Sequence, residues 1–189
     1  LVVDDGSSDG SAEIASGLKK VRLLQQEQSG AATARHLGVQ VCQGEYVAFL
    51  DADDRWTQNK MNAQLSFLQE RPDCDGVFGH VRQFVCPDWK GGPTDFDARP
   101  QLSRLPGALL MRRNCYQQAG DFNSLYRAGE FVDWYLRAEE AGCVFGSVEE
   151  LVLERRLHPI NHGRLGSLCR QDYARVVMAA LRRRRQASC

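Results

Sequence analysis

This chain has no surplus of charge: its 24 lysines and arginines are matched by 24 aspartates and glutamates. No overall field therefore recruits nucleic acid, and none draws the whole molecule to an anionic membrane. No apolar run approaches the roughly 20 residues of a transmembrane helix, and no signal peptide is visible. The seven cysteines are odd in number, scattered, and never in C-x-x-C spacing. That argues against a disulfide frame or a zinc site and for reduced thiols in a cytoplasmic compartment, most of them small core residues. Nor is there an initiator methionine. Leu1-Val2-Val3-Asp4-Asp5 reads as the end of a buried strand, so the chain is expected to be a fragment whose preceding residues supply another strand of the same sheet.

What remains is ordinary globular composition, 43% hydrophobic and 25% charged over 189 residues, the size of one domain. Against that background one stretch stands out. Asp51-Ala52-Asp53-Asp54 follows the apolar run Tyr46–Leu50, and crowding carboxylates at the end of a buried strand costs hydration and repulsion. A divalent cation removes that cost. In an extended segment residues i and i+2 point the same way, so Asp51 and Asp53 would face one ligand while Ala52 faces away. Hard oxygen ligands suit Mg2+ or Mn2+, which bridge carboxylates to substrate phosphates. A solvated acidic turn is the simpler alternative.

The first half alternates strand and helix. Strands are expected at Leu1–Asp4, Val21–Gln25, Tyr46–Leu50 and Gly76–Val85, with helices at Ser11–Lys19, Gly30–Gln43 and Asn59–Glu70. Units of this length imply an α/β fold with a mostly parallel sheet and right-handed crossovers, in which ligands bind beyond the carboxyl ends of the strands. Asp4-Asp5 and Asp51-Ala52-Asp53 both fall at that edge. The second half is less regular: a long loop over Cys86–Arg104 of the kind that covers sites, a strand at Ala108–Met111, a helix over Phe131–Ala141 and a strand at Val148–Leu157. The expected organisation is one domain over residues 1–170 and a basic helix over 171–189. Its run Arg182-Arg183-Arg184-Arg185 either complements the negative pole of that helix or makes peripheral contact with phosphates or an anionic surface.

Several of these segments together resemble family 2 glycosyltransferases, which have the GT-A (Rossmann-like) fold. Leu1–Ser11 resembles the family's second-strand motif, so the first strand would be missing. Gln28–Gly38 is similar to its N-x-G-x-x-x-A-R-N-x-G helix, with Gln28 and His36 in place of asparagines. Asp51-Ala52-Asp53-Asp54 is similar to its D-x-D motif. Gly107–Arg113 and Gly120-Asp121-Phe122 resemble the segment ahead of its acidic catalytic motif, where Glu130–Arg137 then falls.

The resemblance implies Asp53 as the direct metal ligand and Asp51 as a partner of ribose or sugar hydroxyls. Asp5 would accept a hydrogen bond from a uracil-like base, leaving helix capping to Asp9 or Ser8. Arg35 would contact the base or phosphates as a forked donor, and His158 would complete the metal shell; a loop histidine held by backbone hydrogen bonds is the alternative. Phe131 stands where the family's catalytic aspartate belongs and cannot accept a proton. Glu130 ranks first as the base, at a helix start after Gly129, and Asp133 second on the same face. Helix-dipole complementation by Glu130 and an ion pair of Asp133 with Arg137 are the competing readings.

The expected function is inverting transfer of a sugar from a nucleoside-diphosphate sugar, most simply a UDP-sugar, to an unknown acceptor hydroxyl, dependent on Mn2+ or Mg2+. A non-catalytic nucleotide-sugar-binding module and a nucleotidyltransferase on a similar sheet are the alternatives.

Overall fold

Short apolar runs alternating with amphipathic stretches build strand–helix units through the first half of the chain, seen in a computed structural model that describes residues 1–159, 161 and 166–187. β1 (Val2–Asp4) turns into α1 (Ser11–Ser16), and β2 (Leu23–Gln25) lies parallel to β1 with Val3 opposite Leu24. Then come α2 (Ala31–Val41), β3 (Tyr46–Ala48), the two-residue β4 (Arg55–Trp56), α3 (Lys60–Glu70) and β5 (Gly76–Val85). The second half runs β6 (Gln101–Leu102), a 3-10 turn at Pro106–Ala108, β7 (Leu110–Arg112), α4 (Arg113–Ala119), α5 (Glu130–Glu140), β8 (Phe145–Leu157) and α6 (Gly166–Ala187). No helix among the described residues is long and apolar enough to cross a membrane.

β1 and β2 form one small sheet; the second has the order β3-β7-β5-β8-β4, with β6 on β5. The α/β class holds, but the sheet is more mixed than the strand–helix alternation predicts. Parallel pairing joins β1 to β2 and β5 to β8, whereas β3, β4, β6 and β7 pair antiparallel. A parallel neighbour requires a long crossover, usually a helix. The chain reaches β7 from β5 through a loop, β6 and a single 3-10 turn, so β7 returns beside β5 in the opposite sense. β4 and α4 were not legible in the sequence, the first because two residues carry no period, the second because it is only seven residues long.

α5 fixes the core of the second half. Phe131, Trp134, Tyr135 and Ala138 fall at i, i+3, i+4 and i+7 and all are buried, the spacing of a core-facing stripe. Trp134 stacks against Tyr116 and Phe131 at ring separations of 6.0 and 5.8 Å. Phe131 also meets Phe78 of β5 edge-on at 6.4 Å. A residue held this way is a packing element, which is why phenylalanine is suited to the position.

A polar pair lies under the sheet. Lys60 and Gln64, one turn apart on α3, are both fully buried. Lys60 Nζ donates to Gln64 Oε1 at 2.6 Å and to the Leu109 carbonyl at 3.3 Å, and lies 5.4 Å from the Trp56 ring centroid. Gln64 Nε2 donates to the carbonyls of Val77 and Ala108 at 2.9 and 2.8 Å. These bonds tie α3 to β5 and to the 3-10 turn. With no carboxylate among those partners, burial pushes the Lys60 ammonium down to about 7.

The segment Cys86–Arg104 has β6 as its only strand and no helix. Beside it a cavity of about 180 Å³ is lined by Gln83, Asp97, Arg99 and Arg155 among others. α6 runs unbroken across residues 170 and 171, where the two expected units meet, and packs on α5: Arg183 Nε reaches Glu140 Oε2 at 2.5 Å, and Val176 and Ala180 are buried.

Candidate active site

The turn after β3 gathers the site. Asp54 N donates to the Asp51 carbonyl at 3.0 Å, so residues 51–54 close a turn instead of continuing the strand. That corrects the expectation of an extended Asp51-Ala52-Asp53 facing one ligand: the turn sends Asp51 and Asp53 to different partners.

Asp51 faces α2. Arg35, a residue of α2, places Nη2 2.7 Å from Asp51 Oδ1 and Nη1 2.6 Å from Glu130 Oε1. Its side chain is only 12% exposed. Burial opposes the guanidinium charge, but the two carboxylates outweigh it and raise its pKa further. The fork of two parallel donors lets one cation hold two anions in fixed geometry. Glu130 uses Oε1 for this contact, and its Oε2 has no hydrogen-bond partner among the described residues. Glu130 opens α5 because Gly129 precedes it with φ +83°, a backbone conformation that L side chains resist. A Cβ there would also lie 3.2 Å from the Tyr173 ring.

Asp53 faces the end of β8. His158 Nε2 lies 2.7 Å from Asp53 Oδ2, and Asn161 braces the histidine, its Oδ1 accepting from His158 N at 2.6 Å while its Nδ2 donates to the Arg156 carbonyl at 3.1 Å. A carboxylate oxygen and an imidazole nitrogen this close are a pair of ligand atoms that a divalent ion can bind. Among the described residues no third His, Cys, Asp or Glu joins them. The pair fits a Mg2+ or Mn2+ site of the open kind, in which water and substrate phosphates supply the other ligands. Next to it, burial pushes the Asp54 carboxyl up to about 6; a hydrogen bond from Arg156 N at 2.9 Å opposes that rise, and the nearby charges of Asp53 and Asp51 reinforce it.

Two expected site residues are engaged elsewhere. Asp5 receives Gln26 Nε2 and Ser29 N on Oδ1, both at 2.7 Å, and Gly30 N on Oδ2 at 2.8 Å. Partial burial disfavours its charge, yet these donors together hold the carboxyl below its usual range. Gly30, at φ +92°, turns its N–H toward Asp5. Asp5 therefore anchors the entry to α2, while Oδ2, with a single donor, keeps lone-pair capacity for one more. Asp9 caps α1, its Oδ1 accepting from Ser11 N and Oγ at 3.1 and 2.6 Å.

Asp133 is buried between two guanidinium groups, Arg137 Nε at 2.9 Å and Arg183 Nη1 at 3.4 Å. The expected second base thus has no path to an incoming hydroxyl, and it is an ion-pair partner of Arg137, as its i+4 spacing allowed. Sequence reasoning missed Asn161 as the brace of His158 and Asp54 as a half-buried carboxyl. The signal for Asn161 was its place three residues after His158; for Asp54 there was none beyond adjacency.

Comparison with known proteins supplies the relationships. The sequence profile of Glycosyl transferase family 2 matches residues 1–127. The glycosyltransferase GlyG of Streptococcus pneumoniae serotype 4 is 39% identical over 89 residues, covering 44% of this chain and 29% of GlyG. The amylovoran biosynthesis glycosyltransferase AmsB of Erwinia amylovora is 38% identical over 76 residues, 36% of this chain and 25% of AmsB. These matches span less than a third of the curated relatives' own lengths. Among solved structures, S. aureus TarS 1-349 in complex with UDP-GlcNAc superposes with a TM-score of 0.74 at 16% identity, over 95% of this chain and 55% of TarS 1-349. The complex of TarS 1-349 with UDP gives 0.67 at 16% identity, over 93% and 52%. At that identity the likeness establishes a shared fold, GT-A.

Proposed function

The chain belongs to glycosyltransferase family 2, and from that premise we propose that it transfers a sugar from a nucleoside-diphosphate sugar to an acceptor hydroxyl with inversion at the anomeric carbon. The observation that carries this reading is the convergence of Arg35, Asp51 and Glu130 beside the Asp53–His158 pair. A UDP-sugar is the donor favoured by the ligands named for the TarS structures.

Asp53 and His158 would hold Mn2+ or Mg2+. The ion supplies electrostatic stabilisation of the departing diphosphate. Asp51, with Oδ1 on Arg35, presents Oδ2 toward donor hydroxyls. Glu130 acts as the base: the acceptor oxygen bonds to the anomeric carbon, the bond from that carbon to the diphosphate oxygen breaks, and the hydroxyl proton passes to Glu130 Oε2. Arg35 orients Glu130 by holding Oε1. The free thiols of Cys42, Cys74, Cys86, Cys115 and Cys143 support a reducing, cytoplasmic setting.

A second reading is favoured by one observation. Phe131, at the place where the resemblance puts the catalytic aspartate, is buried among Phe78 and Trp134; a domain that binds nucleotide sugar without transferring it would tolerate this. Calorimetric titration with UDP tests the metal-bridged site shared by both readings. Binding is expected to be far tighter with Mn2+ than with chelator, and Asp53→Ala should remove the difference. Equal affinity in chelator for the unaltered protein would sink the metal bridge. Donor turnover then separates transferase from binding module.

A further inference from the structure

Apart from the edge of the Tyr173 ring that packs beside Gly129, the outer face of α6 has no role in the site or the core. At helical spacing Tyr173, Val177 and Leu181 form one row, at i, i+4 and i+8, with Met178 beside it. They are 42%, 52%, 45% and 52% exposed respectively. The inner face is already satisfied. Asp172, Val176 and Ala180 are buried, Asp172 accepts from Arg127 N at 3.0 Å, and Arg183 is bound to Glu140 and Asp133. The outward apolar row is therefore not the helix's way of joining the fold.

The charge on this helix is one-sided. α6 holds six arginines (170, 175, 182, 183, 184 and 185) and a single acid, Asp172, while the whole chain is balanced at 24 against 24. Because Asp172 is buried, the outward face has no carboxylate. Arg182 and Arg185 are exposed at its end. A second copy docking face to face through this helix would bring the same arginines and no counter-charge. The occupant must combine negative charge with a medium that accepts four large apolar side chains.

We propose that the outer face of α6 docks on an anionic lipid bilayer, with Tyr173, Val177, Met178 and Leu181 entering the headgroup–acyl boundary and Arg182 and Arg185 meeting the lipid phosphates. Tyr173 packs beside Gly129, the residue before Glu130, so docking holds the candidate site next to the membrane surface.

The test needs neither donor nor acceptor and is independent of the transferase reading. The full chain is sedimented with vesicles of phosphatidylcholine alone or with about 30 mol% phosphatidylglycerol. Binding to the anionic vesicles should be at least about tenfold tighter and should weaken in roughly 0.5 M salt. Val177→Asn with Leu181→Asn, and separately Arg182→Gln with Arg185→Gln, should each lower it about tenfold or more while circular dichroism stays unchanged. Equal binding to both vesicle types, full binding by either folded double variant, or no vesicle binding overturns the proposal. In the last case, self-association lost in the Asn variant assigns the face to a second copy, and capture by poly-glutamate assigns it to an acidic polypeptide.

Discussion

Replacing Lys60 with methionine keeps the length of a fully buried side chain and removes its titration. In the folded chain the ammonium is pushed by burial down to about 7, from 10.5. Between those values the unfolded chain binds more protons than the folded one, so stability rises with pH, is complete above the unfolded value and is lost as pH falls toward 7. Integrating the two titrations leaves a penalty of about 4 kcal/mol at pH 7 and about 2 kcal/mol at pH 9, a gain of roughly 2 kcal/mol across the window. The methionine variant lacks that gain. It also leaves Gln64 Oε1 and the Leu109 carbonyl without this donor, an approximately pH-independent cost of about 1–3 kcal/mol. Tyr116 and Tyr135, both pushed up to about 12 by burial, and Cys115, also raised, lose stability at the alkaline end, in both proteins alike. Urea unfolding of the two proteins at pH 7, 8 and 9 isolates the lysine. The stability difference should shift by about 2 kcal/mol in favour of the wild type as pH rises. Parallel pH profiles would refute a neutralised buried amine.

Other outcomes follow from the site. Glu130→Gln keeps the shape of the side chain and removes its basicity, so turnover should drop about 10²–10⁴-fold with UDP affinity nearly unchanged; full turnover in this variant would exclude Glu130 as the base. Asp133→Asn should instead destabilise by about 3 kcal/mol, because it leaves two guanidinium groups short of their buried partner, and a stability unchanged in urea unfolding would contradict the buried ion pair. Limited proteolysis should cut first within Cys86–Arg104 and slow on adding UDP-sugar with Mn2+; unchanged cutting, with binding confirmed by calorimetry, would count against a covering loop.

Much of the first half was legible because its signals are local. Gly76–Val85 is a strand end to end, and α2 and α3 lie within a few residues of their apolar periods. Pairing was less legible, since the sense of β7 depends on which strand it meets after a long loop, and no local pattern encodes that. The same holds at the site. Arg35, Asp51, Asp53, Glu130 and His158 could be nominated from residue type, order and the family resemblance, but their division into two clusters comes from the turn at Asp51–Asp54. Asp133 illustrates the limit: its neighbour at i+4 was visible, whereas Arg183, 50 residues away, was not.

Arg35 and Glu130 are 95 residues apart in the chain, and Asp53 and His158 are 105 apart. During synthesis the early half emerges with Arg35 and Asp51 able to meet alone, across 16 residues. Glu130 arrives only when α5 is made, and the imidazole beside Asp53 only after β8. A ribosome-bound chain therefore has the acidic turn without the partner that would complete it. Both long-range contacts, Arg35 with Glu130 and Asp53 with His158, therefore require residues from the second half of the chain, and neither can exist before that half is made.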